Sequence, residues 1–267
     1  MTASSEAPLY ISLVIPAHNE AENIATVVRA ASHVLAGINP RYEVIVVDDG
    51  SRDGTADVAR DAMRDEPSRL RVVVHAQKSG YAVTVCDGLR AARGEILAFM
   101  DGDRQFDPRE IATLVDHLDA ADLVAGYRLH RADPWYRSVV SGVYNLVVRI
   151  LFGLRFRDFD CGLKVFRREV FESALPLVAR SAAFNPEIAL KAKRAGYRIV
   201  QVPVHHYTRR AGRRSGARLK PILRAMRDIV RLRVAMWSGS VTLTGRRAGP
   251  TTPVAPAPPP QTSDTSG

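Results

Sequence analysis

The stretch EILAFMDGDRQFDP, residues 95–108, decides how the chain is read. An apolar run, Ile96 to Met100, stops abruptly at Asp101-Gly102-Asp103, and Gln105 follows two positions later. A short apolar run bounded by glycine and acids reads as a buried strand followed by a turn. Alternation along the strand would place Asp101 and Asp103 on one side, with Gly102 allowing a close backbone approach. Two carboxylates and a neutral amide oxygen are hard ligands. Mg2+ or Mn2+ takes such ligands sparingly and completes its shell with substrate phosphates. A lone Asp-x-Asp is more often a solvated turn after a strand, so its surroundings must decide.

Outward from this strand the same pattern repeats. YISLVIP (10–16), YEVIVV (42–47) and LRVVVH (70–75) are further short apolar strands. Between them lie helical spacings from Asn19 to Leu35, after Ser51-Arg52-Asp53-Gly54-Thr55, and from Ala82 to Arg93. Asn19 with Glu22 three residues on reads as the start of the first helix. Strands alternating with helices predict an α/β fold, a doubly wound parallel sheet with helices on both faces. Such sheets bind ligands beyond the carboxyl ends of their strands, where Asp48-Asp49 and Asp101-Gly102-Asp103 both fall. Beyond Ala125 the pattern loosens. Residues 136–154 form an apolar helical stretch, DFDCGLKVFRREVF leads from a loop into a strand and a helix, and residues 185–196 are helical. RIVQVPVHHY closes the series of strands.

Composition narrows the class. In 267 residues, 46% are hydrophobic, enough for a sizeable core. No stretch nears the roughly 20 uninterrupted apolar residues of a membrane-spanning helix. MTASSEAPLY lacks the pattern of a secretory signal. Cys86 and Cys161, the two cysteines, are in no metal-ligand spacing and read as reduced thiols of a cytosolic protein. The net charge of +10 is local: His205 to Arg247 holds twelve Lys or Arg against one acid, Asp228. Four parts are expected: an extension (1–9), an α/β domain (10–218), a basic amphipathic helix (219–240) and a disordered Pro-rich tail (241–267).

IPAHNEAENI, VDDGSRDGT and MDGDRQFDP occur in this order at successive predicted strand ends. Together they resemble the family-2 glycosyltransferases, and within them dolichol-phosphate mannosyltransferase and the bacterial polyprenyl-phosphate glycosyltransferases. The resemblance spans about residues 10 to 216 and implies a GT-A fold, a Rossmann-like, mostly parallel α/β sheet with helices on both faces. It implies that Pro16, Ala17, Glu20, Asp48 and Asp49 line the nucleotide pocket of a sugar donor, GDP-mannose or a UDP-hexose. It implies further that Asp101, Asp103 and Gln105 bind Mg2+ or Mn2+ on the donor diphosphate beside Gly102. AQKSGYAV keeps only Lys78 and Gly80 of the family's Asn-x-Gly-Lys-Gly donor segment. AGYRLHRADPWYRSVVS resembles a segment that supplies Arg128, Arg137 and Ser141 to an acceptor phosphate, and a planar guanidinium suits phosphate oxygens. In FDCGLKVF, Asp160 faces the reaction centre by the same resemblance, with Cys161 where small hydroxyl residues are usual. RRAGRRSGAR resembles a phosphate-touching loop and brings in Arg210 or its neighbours.

The expected reaction is inverting sugar transfer to a polyprenyl phosphate at the inner face of the plasma membrane, by a peripheral enzyme. The alternative is a hydroxyl acceptor on a saccharide or lipid, which needs a base, Asp160 or Glu187. A basic nucleic-acid-binding module is the competing class, but no helix-turn-helix, zinc-finger or RNP-like pattern accompanies the charge, so no nucleic-acid partner is expected. No G-x-G-x-x-G follows the first strand, which disfavours a nicotinamide oxidoreductase. His205-His206 lacks further ligands at metal spacing and reads as structural. Lys220 to Trp237 sets Ile222, Leu223, Met226, Ile229 and Val230 against Arg224, Arg227 and Arg231, which suits either an anionic membrane surface or packing on the domain.

Overall fold

The computed structural model describes residues 10–129, 135–209 and 219–238. The expected N-terminal extension, the Pro-rich tail and Arg210 lie outside these residues. Seven strands are described: β1 (Ile11–Ala17), β2 (Tyr42–Asp48), β3 (Leu70–Val74), β4 (Ile96–Met100), β5 (Leu123–Arg128), β6 (Leu163–Arg167) and β7 (Ile199–Val204). Eight α-helices accompany them: α1 (Ala21–Ile38), α2 (Thr55–Ala62), α3 (Tyr81–Ala91), α4 (Glu110–Asp116), α5 (Trp135–Phe152), α6 (Arg168–Ala174), α7 (Phe184–Arg194) and α8 (Leu219–Trp237).

The strands form one sheet in the order β3-β2-β1-β4-β6-β5-β7. All pairings are parallel except those of β6, which runs antiparallel to β4 and β5. The alternation read from the sequence is realised on both faces of the sheet. Ile11, Leu13 and Ile15 of β1 pack with Ile24, Val28 and Leu35 of α1, while Val14 packs with Val85 and Leu89 of α3 on the opposite face. Burying both faces under helices is what makes the central strands almost wholly apolar.

Two local features position the ligand edge. Helix α1 starts without a cap from Asn19: the Thr55 hydroxyl accepts from Glu20 N at 2.9 Å, and Asp53 accepts from Ala21 N at 3.1 Å. Asn19 sits at φ 56°, and its side chain accepts from Arg52 N at 2.9 Å. The left-handed backbone thus turns it toward the 51–55 turn instead of its own helix. The reversal of β6 is the second feature. It sets Leu163 opposite Met100, so the loop entering β6 meets the turn leaving β4.

Candidate active site

Asp101 and Asp103 do not continue the strand alternation. Strand β4 ends at Met100, and the chain turns at once, with Arg104 at φ 62°. Gly102 brings this turn against β1, where a Cβ would lie 3.1 Å from the Pro16 carbonyl oxygen. Asp101 N donates to Gly162 O at 3.2 Å, and Tyr81 Oη donates to Asp101 Oδ1 at 2.7 Å. Burial, and next the neighbouring Asp103, push the Asp101 carboxyl up to about 7. Asp103 crowds Asp101 in this way, and a divalent cation relieves such crowding. Gln105 donates its amide to Tyr207 O at 3.0 Å and its backbone N–H to Asp103 Oδ1 at 3.2 Å. Among the described residues no three His, Cys, Asp or Glu side chains gather as a metal site. Asp101, Asp103 and the Gln105 amide oxygen could supply only part of a cation's shell, leaving the rest to phosphate oxygens.

The ends of β1 and β2 are sewn together beside this turn. Ala17 pairs with Asp48 in register, and Asp49 N donates to Ala17 O at 2.8 Å. Asp48 accepts from Ser51 N at 2.9 Å. The Asp49 carboxylate accepts from Ser79 N at 2.6 Å, Gly80 N at 2.9 Å and, across a 3.1 Å contact, meets His75 Nδ1. These backbone donors help hold its carboxyl below the usual range against the opposing effect of burial. The 77–80 loop, with Lys78 exposed upon it, is therefore fixed to the end of β2. Gly50, at φ 67°, permits this approach: a Cβ there would lie 2.8 Å from the Gln77 backbone. Glu20 is buried, its Oε2 accepting from Asn23 at 2.7 Å. Arg209 lies against Glu20 and reaches Asp103 at 3.5 Å.

Arg128 stands at the end of β5, its guanidinium donating twice to Asp158, at 2.6 and 2.9 Å. Asp160 follows in the same loop. Burial, then the negative Asp158, raise its carboxyl to about 6, and its Oδ1 is buried without a hydrogen-bond partner. Lys164, inside β6, donates to Phe159 O at 3.1 Å and Cys161 O at 2.5 Å, fastening the loop from beneath. Ser141 is buried on α5 with its hydroxyl unpartnered, as is that of Tyr144 one turn on. Burial and then the Asp160 charge drive the Tyr144 hydroxyl well above its ordinary value. Arg137 lies in α5, but its side chain is outside the described residues.

Glu187 takes no part in this edge. It is fully buried, accepts from Val178 N at 2.8 Å and Ala179 N at 2.8 Å, and pairs with Lys191 at 2.8 Å. Glu187, one of the two bases suggested for a hydroxyl acceptor, is thus a brace in the helical layer. His205 pairs with Glu110 at 2.8 Å, and His206 packs edge-on against Phe106. Tyr81, Asp158, Gly162 and Lys164 are not marked by the sequence reading, whereas Arg209 is a neighbour of Arg210 in the loop it singles out. Only Lys164, a lysine inside an apolar strand, carried a local signal.

Among known proteins, a family described as Glycosyl transferase family 2 matches residues 12–175. Undecaprenyl-phosphate 4-deoxy-4-formamido-L-arabinose transferase of Aeromonas hydrophila is 31% identical over 221 residues. The match covers 82% of this chain and 66% of that protein, so the chain spans just under two thirds of its relative's length. Glucosyl-3-phosphoglycerate synthase of Mycobacterium tuberculosis, solved with Mn2+, UDP-glucose and phosphoglyceric acid, superposes with a TM-score of 0.65 at 22% identity, over 85% of this chain and 80% of that one. A further crystal structure, of a mycobacterial protein, gives a TM-score of 0.64 at 25% identity, over 83% and 74%. The likeness to the synthase shows the fold, a GT-A sheet with helices on both faces.

Proposed function

The chain belongs to glycosyl transferase family 2, and on that premise we propose that it moves a sugar from a nucleotide donor to a polyprenyl phosphate with inversion at the anomeric carbon. GDP-mannose or a UDP-hexose is the donor, and Mg2+ or Mn2+ the cofactor. One observation carries the reading: a single loop, Asp158 to Gly162, joins the acid turn to the basic strand end. Its Gly162 carbonyl meets Asp101, and its Asp158 holds Arg128. The Aeromonas relative, named for an undecaprenyl-phosphate acceptor, supports the same choice.

Asp101, Asp103 and Gln105 would hold the cation, which when bound neutralises charge on the departing nucleoside diphosphate as a Lewis acid. Pro16, Ala17, Asp48 and the loop fixed by Asp49 line the neighbouring strand ends and would seat the nucleotide, with Glu20 at their margin. Arg128, aligned by Asp158, would orient the acceptor phosphate, assisted by Arg137, Ser141 and Arg210. A phosphate monoester has a second pKa of about 6 and is largely dianionic at neutral pH, so it needs no protein base. Its oxygen forms the new bond to the anomeric carbon as the bond to the diphosphate breaks. Asp160 need only orient. Such an acceptor lives in a bilayer, and peripheral attachment at the inner face of the plasma membrane is part of the same proposal.

The unpartnered Asp160 oxygen and its carboxyl near 6 are what favour the second reading, a hydroxyl acceptor with Asp160 as base. The donor half is tested by a thermal-shift panel of nucleotide sugars with and without Mn2+, since a ligand of the folded state raises stability by mass action. One nucleotide sugar should stabilise only with metal. Equal stabilisation by all, or none with metal present, contradicts the donor assignment.

A further inference from the structure

Helix α8 divides its apolar residues between two stripes. Ala225, Ile229 and Leu232 are buried in the core, in one cluster with Tyr144 and Val148 of α5. Leu223, Val230, Val234 and Trp237 point outward, each more than half exposed, Trp237 at 87%. At 100° per residue these four fall within a band of about 60°. Exposed Arg227 and Arg231 border the band on one side and exposed Arg233 on the other. The one acid of the helix, Asp228, is buried, accepts from Arg180 N at 3.1 Å and lies 4.0 Å from the exposed Arg231, so the helix exposes no carboxylate on its outer surface. The adjoining α5 repeats the arrangement. Val143, Leu146 and Ile150 are exposed at helical spacing, Ile150 at 72%, beside exposed Arg149.

A helix that only covers the domain needs the inner stripe alone. A second apolar stripe bordered by arginines suits a boundary at which alkyl groups enter an apolar layer while guanidinium groups stay with anionic headgroups. Among the described residues no helix is long and apolar enough to cross a membrane. A contact here therefore lies along the surface. Self-association is disfavoured by charge, because a two-fold contact would set these arginines against their own copies.

We propose that the outer face of α5 and α8 is a docking surface for an anionic lipid monolayer. Its use rests on the lipid-acceptor reading: α5 follows the Arg128 end of β5, so docking would bring the acceptor side of the site to the bilayer. The contact itself is inferred from side chains alone and can be tested without substrate.

The full chain is co-sedimented with vesicles of phosphatidylcholine alone and of phosphatidylcholine mixed with phosphatidylglycerol. Binding should favour the mixed vesicles and weaken as salt rises. The triple substitution Val230→Ser, Val234→Ser, Trp237→Ser should cut partitioning at least about tenfold while keeping the melting temperature. Arg227→Ser with Arg231→Ser should reduce the preference for anionic vesicles several-fold, the exposed Arg233 and Arg149 remaining, while weak binding to both is retained. Equal binding of the wild-type chain to both vesicle types overturns the proposal. So does wild-type binding by the triple variant, or a dimer that the triple variant dissolves without any vesicle binding. Salt-sensitive docking by a chain inactive on every polyprenyl phosphate would count against the proposed acceptor and leave the docking face standing.

Discussion

Gly162 and Asp101 occupy a space that admits one side chain, for a Cβ on Gly162 would lie 2.0 Å from Asp101 Oδ2. The glycine is thus what allows β6 to run beside the acid turn. Gly162→Ala must displace either the carboxylate or the strand, and overpacking of this kind costs about 1–3 kcal/mol. The variant should fold with a lowered melting temperature, and calorimetry should show metal-dependent donor affinity reduced at least about tenfold. Unchanged donor affinity would mean that the position of Asp101 is immaterial to the donor.

Arg128 and Asp158 make the second test. Removing one partner of a buried ion pair typically costs about 3–5 kcal/mol, so Arg128→Ala and Asp158→Ala both confound stability with function. Arg128→Lys keeps the charge and loses the planar fork. It should raise the acceptor KM several-fold and leave the donor dissociation constant unchanged. Steady-state kinetics with the acceptor varied will read this, and a change confined to the donor would move Arg128 out of the acceptor site.

Asp160 predicts a pH dependence whose sign is fixed by burial. Its carboxyl rises from 3.8 to about 6 in the fold, so the folded chain binds the extra proton between these values. Its ionised form therefore lowers stability above about pH 6, and the penalty fades as pH falls toward 4. Asp160→Asn should raise stability by about 1–2 kcal/mol at pH 8, discounted for partial solvent screening, and give little gain near pH 4. Denaturant midpoints at the two pH values are the check. An equal gain at both would assign the effect to packing.

Burial pushes the Cys86 and Cys161 thiols up to about 12, and neither is in a disulfide. A thiol at neutral pH is a poor nucleophile. Native protein at pH 8 should release almost no chromophore from a disulfide reagent, and unfolded protein should release two equivalents per chain, matching the two cysteines. Rapid reaction of a native thiol would contradict the packing around β6 or α3.

The sheet was legible where the signal was local. Apolar runs ending in Asp48-Asp49 and Asp101-Gly102-Asp103 mark strand ends, and those ends lie along one edge. The antiparallel course of β6 was not legible, because periodicity reports burial and carries no direction. The partners of the site residues were hidden for a similar reason: Tyr81 on Asp101, Asp158 on Arg128 and Arg209 on Glu20 are joined by the fold across long separations. In DFDCG the sequence drew attention to Asp160, whereas Asp158 makes the ion pair. Glu187 looked available only because its backbone donors lie in the 178–179 segment. Helix α8 could be read as packed or as membrane-facing, and its two stripes accommodate packing on one side and exposure on the other.

The central claim is metal-dependent sugar transfer to a lipid phosphate. Its most direct test is transfer of radiolabelled sugar to a short polyprenyl phosphate, run beside the dephosphorylated alcohol, with Mn2+ and with EDTA. The account predicts labelled product from the phosphate with metal only, and none from the alcohol. Transfer that survives EDTA, or that prefers the alcohol, would contradict it.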